Sequence, residues 1–235
     1  HDIDTGCILR FSPQDPKHPA HRCHYVYAWF FYAIMSLYWM TVRDFKQLAK
    51  FRTEKLGNVH NDYRKVLWEL ISWKTAYYTY ILVIPMLVAP GPWYWVPIGW
   101  LVMHVVAGSL LSAIFLPAHV MPSSEYPVPS EHGTIEQNWA VHQLLTTTNF
   151  APGSRIFSWF VGGLNFQVEH HLFPNICHVH YRHLSPIVRT TAEEYGLPYH
   201  SQKTFVRALQ EHVRFLRQMG EAETESDLDQ EVVAA

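Results

Sequence analysis

Metal-donor side chains concentrate in the segment Gly162-Gly163-Leu164-Asn165-Phe166-Gln167-Val168-Glu169-His170-His171-Leu172-Phe173-Pro174. On a helix, Gln167 stands three residues before His170 and four before His171, so all three project toward one side. Adjacent residues are about 100° apart around a helix, and two neighbouring histidines can therefore reach two different metals. His and Gln, with no thiolate cluster on offer, suit a first-row transition metal. A purely structural His pair is the bland alternative.

Two further histidines belong to the same argument. His119, in Leu116-Pro117-Ala118-His119-Val120, follows an apolar run and is expected on the side that carries Gln167. Its alternative role is to end a helix, where a protonated His complements the helix dipole. His142, in Asn138-Trp139-Ala140-Val141-His142-Gln143, lies on a segment expected to fold back toward both. Packing or a substrate contact suits His142 as well as ligation does. His18, His21 and His24 also tempt a metal reading, but Pro19 and the lack of a partner cluster argue against it. His178, His180 and His183 follow Pro174 and are left as structural or supporting groups. His104, inside an apolar run, is either a hydrogen-bonded helix contact or a lining residue of a substrate tunnel.

The elements that must position these groups read as membrane helices. Hydrophobic residues make up 49% of the chain and charged residues only 16%, while 9 Trp and 13 Tyr suit bilayer interfaces. A mean hydropathy near zero hides two apolar blocks set among polar, His-rich stretches. Residues 66–89 and 93–116 each approach or exceed the ~20 residues needed to cross a bilayer. Pro90-Gly91-Pro92 joins them so tightly that they must run antiparallel, as a transmembrane hairpin. Arg43, Lys46, Lys50, Arg52, Lys55, Arg64 and Lys65 precede that hairpin and place its start in the cytoplasm. The aromatic run 25–42 is either another span or an interfacial helix, and its aromatic load favours the interface.

Residues 1–24 read as a loop and 134–150 as a helix broken at Ala151-Pro152-Gly153. Residues 155–172 form an apolar segment ending in the His pair. Residues 202–219 form a basic amphipathic helix with Phe205, Val206, Leu209, Val213 and Leu216 on one face. The tail 221–235 is acidic and expected to be disordered. A net charge of −2 gives no electrostatic case for nucleic acid. Cys7, Cys23 and Cys177 have no CxxC spacing and build neither a disulfide framework nor a zinc ribbon. The opening His1-Asp2-Ile3-Asp4 has no Met and no signal-like segment, which reads as a fragment.

Gln167 to Pro174 resembles the third histidine box of membrane fatty-acid desaturases, and the leading Gln resembles the front-end and acyl-lipid branch. Trp139 to Phe150, Gly162 to Asn165, Ile176 to Tyr181, Ala118-His119-Val120 and Asp2-Ile3-Asp4 are also similar to the flanking sequence of that family. The resemblance covers most of residues 1–220. It implies an all-α, polytopic four-span bundle with a cytoplasmic, histidine-rich cap over 118–220. It implies two non-haem irons held in part by Gln167, His170, His171 and His119. His142 matches a His found in some relatives only. Asn165 and Glu169 are expected to support the ligands from behind. The implied reaction is O2-dependent desaturation of a fatty acyl chain, as acyl-lipid or acyl-CoA. Electrons would come from NAD(P)H through a ferredoxin or b-type cytochrome, and the active site would face the cytoplasm. The chain shows no counterpart of the first two boxes of the family, so it is expected to be a C-terminal part, inactive by itself. The alternatives are a lipid hydroxylase on the same scaffold and a non-catalytic membrane protein.

Overall fold

The computed structural model describes residues 8–55, 59–127 and 138–221. The expectations for Asp2-Ile3-Asp4, for Cys7 and for the acidic tail beyond Glu221 lie outside these residues. The chain is mostly helical and divides into two compact units. One comprises residues 29–112, and the other comprises 1–28 with 113–235.

The unit of residues 29–112 is built from long helices. Helix α1 (His24–Tyr38) passes through a π-helical turn (Trp39–Arg43) into α2 (Asp44–Thr53), and α3 (Val59–Tyr78) passes through a second such turn (Thr79–Val83) into α4 (Ile84–Val88). A π turn removes the regular i→i−4 pairing and frees a carbonyl. At the first of them the Met40 carbonyl accepts from Lys74 Nζ at 2.5 Å, and the same ammonium pairs with Asp44 at 2.6 Å. Helix α5 (Trp95–His119) is the one helix among the described residues that is long and apolar enough to cross a membrane. The run 66–89 is helical but divided by its π turn, and the helix over its first part is charged at Asp62, Arg64, Lys65, Glu69 and Lys74.

Small side chains let α1 and α5 approach closely. A Cβ on Gly108 would meet the Ala33 carbonyl oxygen at 2.3 Å, so only glycine fits there. Polar groups reinforce the crossing. The Ser112 hydroxyl donates to the Tyr32 carbonyl at 3.3 Å, and Ser36 Oγ lies 2.8 Å from the His104 carbonyl and 3.0 Å from its Nδ1. These bonds support the helix-contact reading of His104.

The other unit carries the candidate site. Helix α6 (Trp139–Thr146) leads to β1 (Asn149–Phe150), α7 (Arg155–Phe160), α8 (Gln167–Leu172), α9 (Tyr181–Glu194), β2 (Ser201–Gln202) and α10 (Phe205–Glu221). The strands pair in parallel, with Asn149 opposite Ser201 and Phe150 opposite Gln202. This two-residue ladder is an addition to the all-α expectation, too short for hydrophobic periodicity to reveal. Among the described residues, two apolar clusters hold the unit. Ala118, Met121, Phe150 and Ala208 gather Ile114, Phe157 and Phe205 around them. Leu144, Val168, Val188 and Ala192 clamp α8 between α6 and α9.

Helix α10 is amphipathic, with Leu216 buried and Phe205 packed on the core as expected. Val206 is exposed, while Ala208, His212, Phe215 and Met219 are buried. The burial of His212 has a polar cause. His212 counts as polar in a hydrophobic pattern, yet it is buried because its Nδ1–H donates to the Val120 carbonyl at 2.8 Å. The N-terminal segment is tied to the same helix. The Arg10 guanidinium donates to the Met219 carbonyl, and the His24 ring accepts from the Arg10 amide while bonding the Leu216 carbonyl. Both ring nitrogens of His24 are thereby engaged with backbone, which leaves it no lone pair for a metal.

Burial holds the His212 pKa down at about 4, against an ordinary value of 6.5. As pH falls below 6.5 the unfolded chain takes up the proton first. The stability associated with neutral His212 is therefore present above about pH 6.5 and lost as pH falls toward 4. The full interval is worth about 3 kcal/mol. Thermal unfolding followed between pH 7 and 4 is expected to show this loss. A His212→Asn variant, which keeps an N–H donor near Val120, is expected to show a shallower pH slope.

Candidate metal centre

Helix α8 begins after a turn that only glycine builds easily. Gly162 and Gly163 take φ values of +60° and +74°, and the Phe166 amide closes the turn on the Gly163 carbonyl at 2.9 Å. A Cβ on Gly163 would lie 2.9 Å from the Cβ of His178, so that position is closed by space as well as by backbone. The N-cap residue, Phe166, has no acceptor side chain and makes no capping bond.

The missing cap comes from β1. Asn149 Oδ1 accepts from the Val168 amide at 2.9 Å, and Asn149 Nδ2 donates to Glu169 Oε2 at 2.8 Å. The Tyr199 hydroxyl donates to Glu169 Oε1 at 2.7 Å and lies 2.8 Å from Ser185 Oγ on α9. Glu169 is fully buried. Burial pushes its pKa up, opposed by the bonds from Tyr199 and Asn149. Tyr199 is pushed up as well, by burial first and then by the neighbouring carboxyl.

With Val168 packed inward, α8 presents His170 and His171 half-buried. Their ring centroids are 5.6 Å apart, and the His119 ring lies 5.0 Å from that of His171. His119 occupies the last turn of α5, where its carbonyl accepts from the Tyr126 hydroxyl at 3.3 Å. Tyr181, buried at the start of α9, brings its hydroxyl 3.4 Å from His170 Nδ1. Burial, then Cys177 and Glu169, raise its pKa.

Gln167 is buried, and its Nε2 has no hydrogen-bond partner; the Nδ1 of His142 is likewise buried and unpartnered. His142 lies on α6, which packs against α8. Of these two atoms only the His142 ring nitrogen is of a kind that ligates metal, since an amide binds through its oxygen, and His104 Nε2 and Asn165 Oδ1 are buried without a partner as well. The expected donors therefore fall into two groups. The His171 ring neighbours those of His119 and His170, whereas Gln167 and His142 each carry a buried atom without a partner. Among the described residues, no three His, Cys, Asp or Glu side chains converge as a complete metal site would require.

Asn165 and Glu169 are both buried, and their side chains tie the segment to its neighbours. Asn165 Nδ2 donates to Ser158 Oγ at 3.0 Å and to the Ala151 carbonyl at 3.3 Å, and its own carbonyl accepts from the Phe150 amide. Asn149, Tyr181 and Tyr199 were not singled out by sequence pattern. Asn149 and Tyr181 lie inside stretches that resemble family sequence, but only spatial contact gives them a role.

Comparison with known proteins follows the same segments. Residues 1–203 match the fatty acid desaturase family. The chain is 33% identical over 235 residues to an sn-1 linoleoyl-lipid 6-desaturase of Synechocystis sp., covering 94% of this chain and 62% of that protein. It is 32% identical over 221 residues to the enzyme of the same name from Arthrospira platensis, covering 93% and 59%. It is 33% identical over 228 residues to an acyl-lipid (8-3)-desaturase of Physcomitrium patens, covering 94% and 45%. The chain thus spans between 45% and 62% of the length of these three relatives. No solved structure matches.

The turn before α8 makes a contrast between glycines measurable. Gly163→Ala is expected to cost about 1–3 kcal/mol, through its left-handed backbone and the clash with His178. Gly153→Ala, with ordinary φ and open space around it, is expected to change stability by less than about 0.5 kcal/mol. Thermal unfolding of the two variants side by side checks both.

Proposed function

The chain belongs to the fatty acid desaturase family, and on that premise we propose that the intact protein introduces a double bond into the fatty acyl chain of a membrane lipid. The observation that carries the reading is the meeting of His119, at the end of an apolar helix, with His171 of the Gln-x-x-His-His segment. The names of the relatives support the acyl-lipid class of substrate, while they differ in the position of the bond.

The kinds of donor present suit iron, and the ring contacts of His171 with His119 and His170 support that reading. His119, His170, His171 and Gln167 would hold iron, with His142 as a further donor; together they supply N and O ligands and no thiolate. Iron bound there would supply the O2-dependent chemistry needed to remove hydrogen from an unactivated methylene, which no side-chain acid or base can do. The tasks left to the chain are holding its donors and placing the acyl chain. Tyr181, beside His170 Nδ1, orients that ring and influences which nitrogen carries the proton. The buried polar bonds below α8 keep the pair from turning, and the apolar residues of the unit exclude water from beneath it.

The proposed setting is a membrane one. Helix α5 would cross the bilayer, paired with the helical run 66–89 in a polytopic bundle, and the basic residues from Arg43 to Lys65 would face the cytoplasm together with the His-bearing cap. Residues 25–42 would be either an interfacial helix or a further span, and the packing of Tyr32, Ala33 and Ser36 on the middle of α5 favours the span. An electron-donor protein, a ferredoxin or b-type cytochrome, would dock on the cytoplasmic face.

The test is gas chromatography of membrane fatty acids from cells expressing the intact protein, beside its His170→Ala variant. A new unsaturated acid that disappears in the variant is expected, and the position of its double bond fixes the regiochemistry. An unchanged profile from well-expressed, iron-loaded protein would sink the desaturase reading and point to hydroxylation. Protein that binds no iron would sink the enzyme reading altogether.

A further inference from the structure

We propose that Asn149 and Tyr199, acting through the buried carboxyl of Glu169, are positioning residues that set where His170 and His171 stand toward their metal. The inference rests on the metal-centre reading above and adds residues to it that carry no donor of their own.

Helix α8 cannot fix its own orientation. It has six residues, far short of the ~12–15 at which an isolated helix becomes even marginally stable, and its N-cap is Phe166. Asn149 supplies what is missing from outside. Its Oδ1 takes the amide of Val168 and its Nδ2 binds the carboxyl of Glu169. These are the two residues that directly precede His170. In effect Asn149 performs both halves of a capping interaction from twenty residues away.

The hydrogen-bond arithmetic closes. Asn149 Nδ2 has two protons, and its partners are Glu169 Oε2 at 2.8 Å and the Tyr199 oxygen at 2.7 Å. The single Tyr199 hydroxyl proton goes to Glu169 Oε1, and the Ser185 hydroxyl, 2.8 Å away, donates to the Tyr199 oxygen. Each donor is used once, and the carboxyl is purely an acceptor. The anchor is itself fixed, because the Asn149 amide donates to the His200 carbonyl at 3.0 Å and its strand pairs with β2. A core serving stability alone would do as well with apolar groups, since a buried carboxyl is expensive to desolvate. What directional bonds add is a single rotation of the helix about its axis, and with it the direction of both imidazoles.

The experiment uses the intact protein in detergent or nanodiscs and measures iron affinity by chelator competition, together with the ferrous Mössbauer spectrum. Tyr199→Phe keeps the ring but removes the hydroxyl, and with it the bonds to Glu169, Asn149 and Ser185. Asn149→Asp keeps the acceptor for Val168 but loses both donors and faces a carboxylate with another. Both are expected to weaken iron binding by about 10-fold or more and to change the spectrum. The double variant Asn149→Asp with Glu169→Gln exchanges donor and acceptor and is expected to restore most of the affinity and the original spectrum. Leu216→Ala, a core truncation on α10, controls for lost stability and is expected to lower Tm without altering the spectrum. Wild-type affinity and spectrum in Tyr199→Phe and Asn149→Asp would overturn the inference, as would the same spectral change in Leu216→Ala. If His170→Ala bound iron as well as wild type, the metal-centre reading itself would fall. That outcome is distinct from a failure of the positioning residues alone.

Discussion

The carboxyl of Glu169 is buried below a helix too short to hold itself, and the candidate site depends on how that carboxyl is bonded. A six-residue helix completes little more than one hydrogen-bonded turn, so the cost of nucleation is not recovered within it. Its persistence comes from neighbours. Val168 is clamped among Leu144, Val188 and Ala192, and Asn149 and Tyr199 take up the polar groups of the first turn. The direction of His170 and His171 is thus decided by contacts from α6, β1, α9 and the approach to β2 as much as by the segment that bears them.

The local part of this arrangement is legible in the sequence. Gln167, His170 and His171 have helical spacing, and the run before His119 is apolar enough to mark α5. The observed helix, Trp95–His119, extends over His119 rather than ending before it. The non-local part carries no such mark. Asn149 and Tyr199 lie 20 and 30 residues from Glu169, and neither side chain is unusual in its own neighbourhood. Part of the buried face of α10 was hidden for a related reason. A hydrophobic pattern scores His212 as polar, while the structure buries it on a backbone carbonyl. The π turns and the two-residue ladder fall below the length at which periodicity says anything.

Histidine content needs the same distinction. Sixteen histidines suggest a metal protein, but several are absorbed by packing. His24 bonds backbone through both nitrogens, and His212 is held neutral against the Val120 carbonyl. A buried neutral imidazole is a small polar plug that satisfies an amide or carbonyl, and it needs no metal to explain it. Ring spacing alone does not set His119, His170 and His171 apart, since the His18–His21 and His21–His24 centroids are 5.3 and 5.6 Å apart. The difference is that His24 is taken up by backbone, whereas the His pair follows a glutamine whose buried amide nitrogen has no partner. Bond accounting makes that separation; a count of histidines does not.

Two different constraints therefore meet at the His119–His171 contact. His119 is placed by the rigid end of α5. Pro117 lacks an amide proton, yet the turn continues, with the Val120 amide on the Leu116 carbonyl at 2.8 Å. Behind that turn the Thr148 amide donates to the Ala118 carbonyl at 2.8 Å, which joins the end of α5 to the residue next to Asn149. His171 is placed by the bonds that Asn149 makes to α8. The short segment Thr148-Asn149 consequently touches the supports of both imidazoles, one through its backbone and one through a side chain. A shift of that segment would move the two rings together, which gives a reason for its complete burial and its pairing to β2.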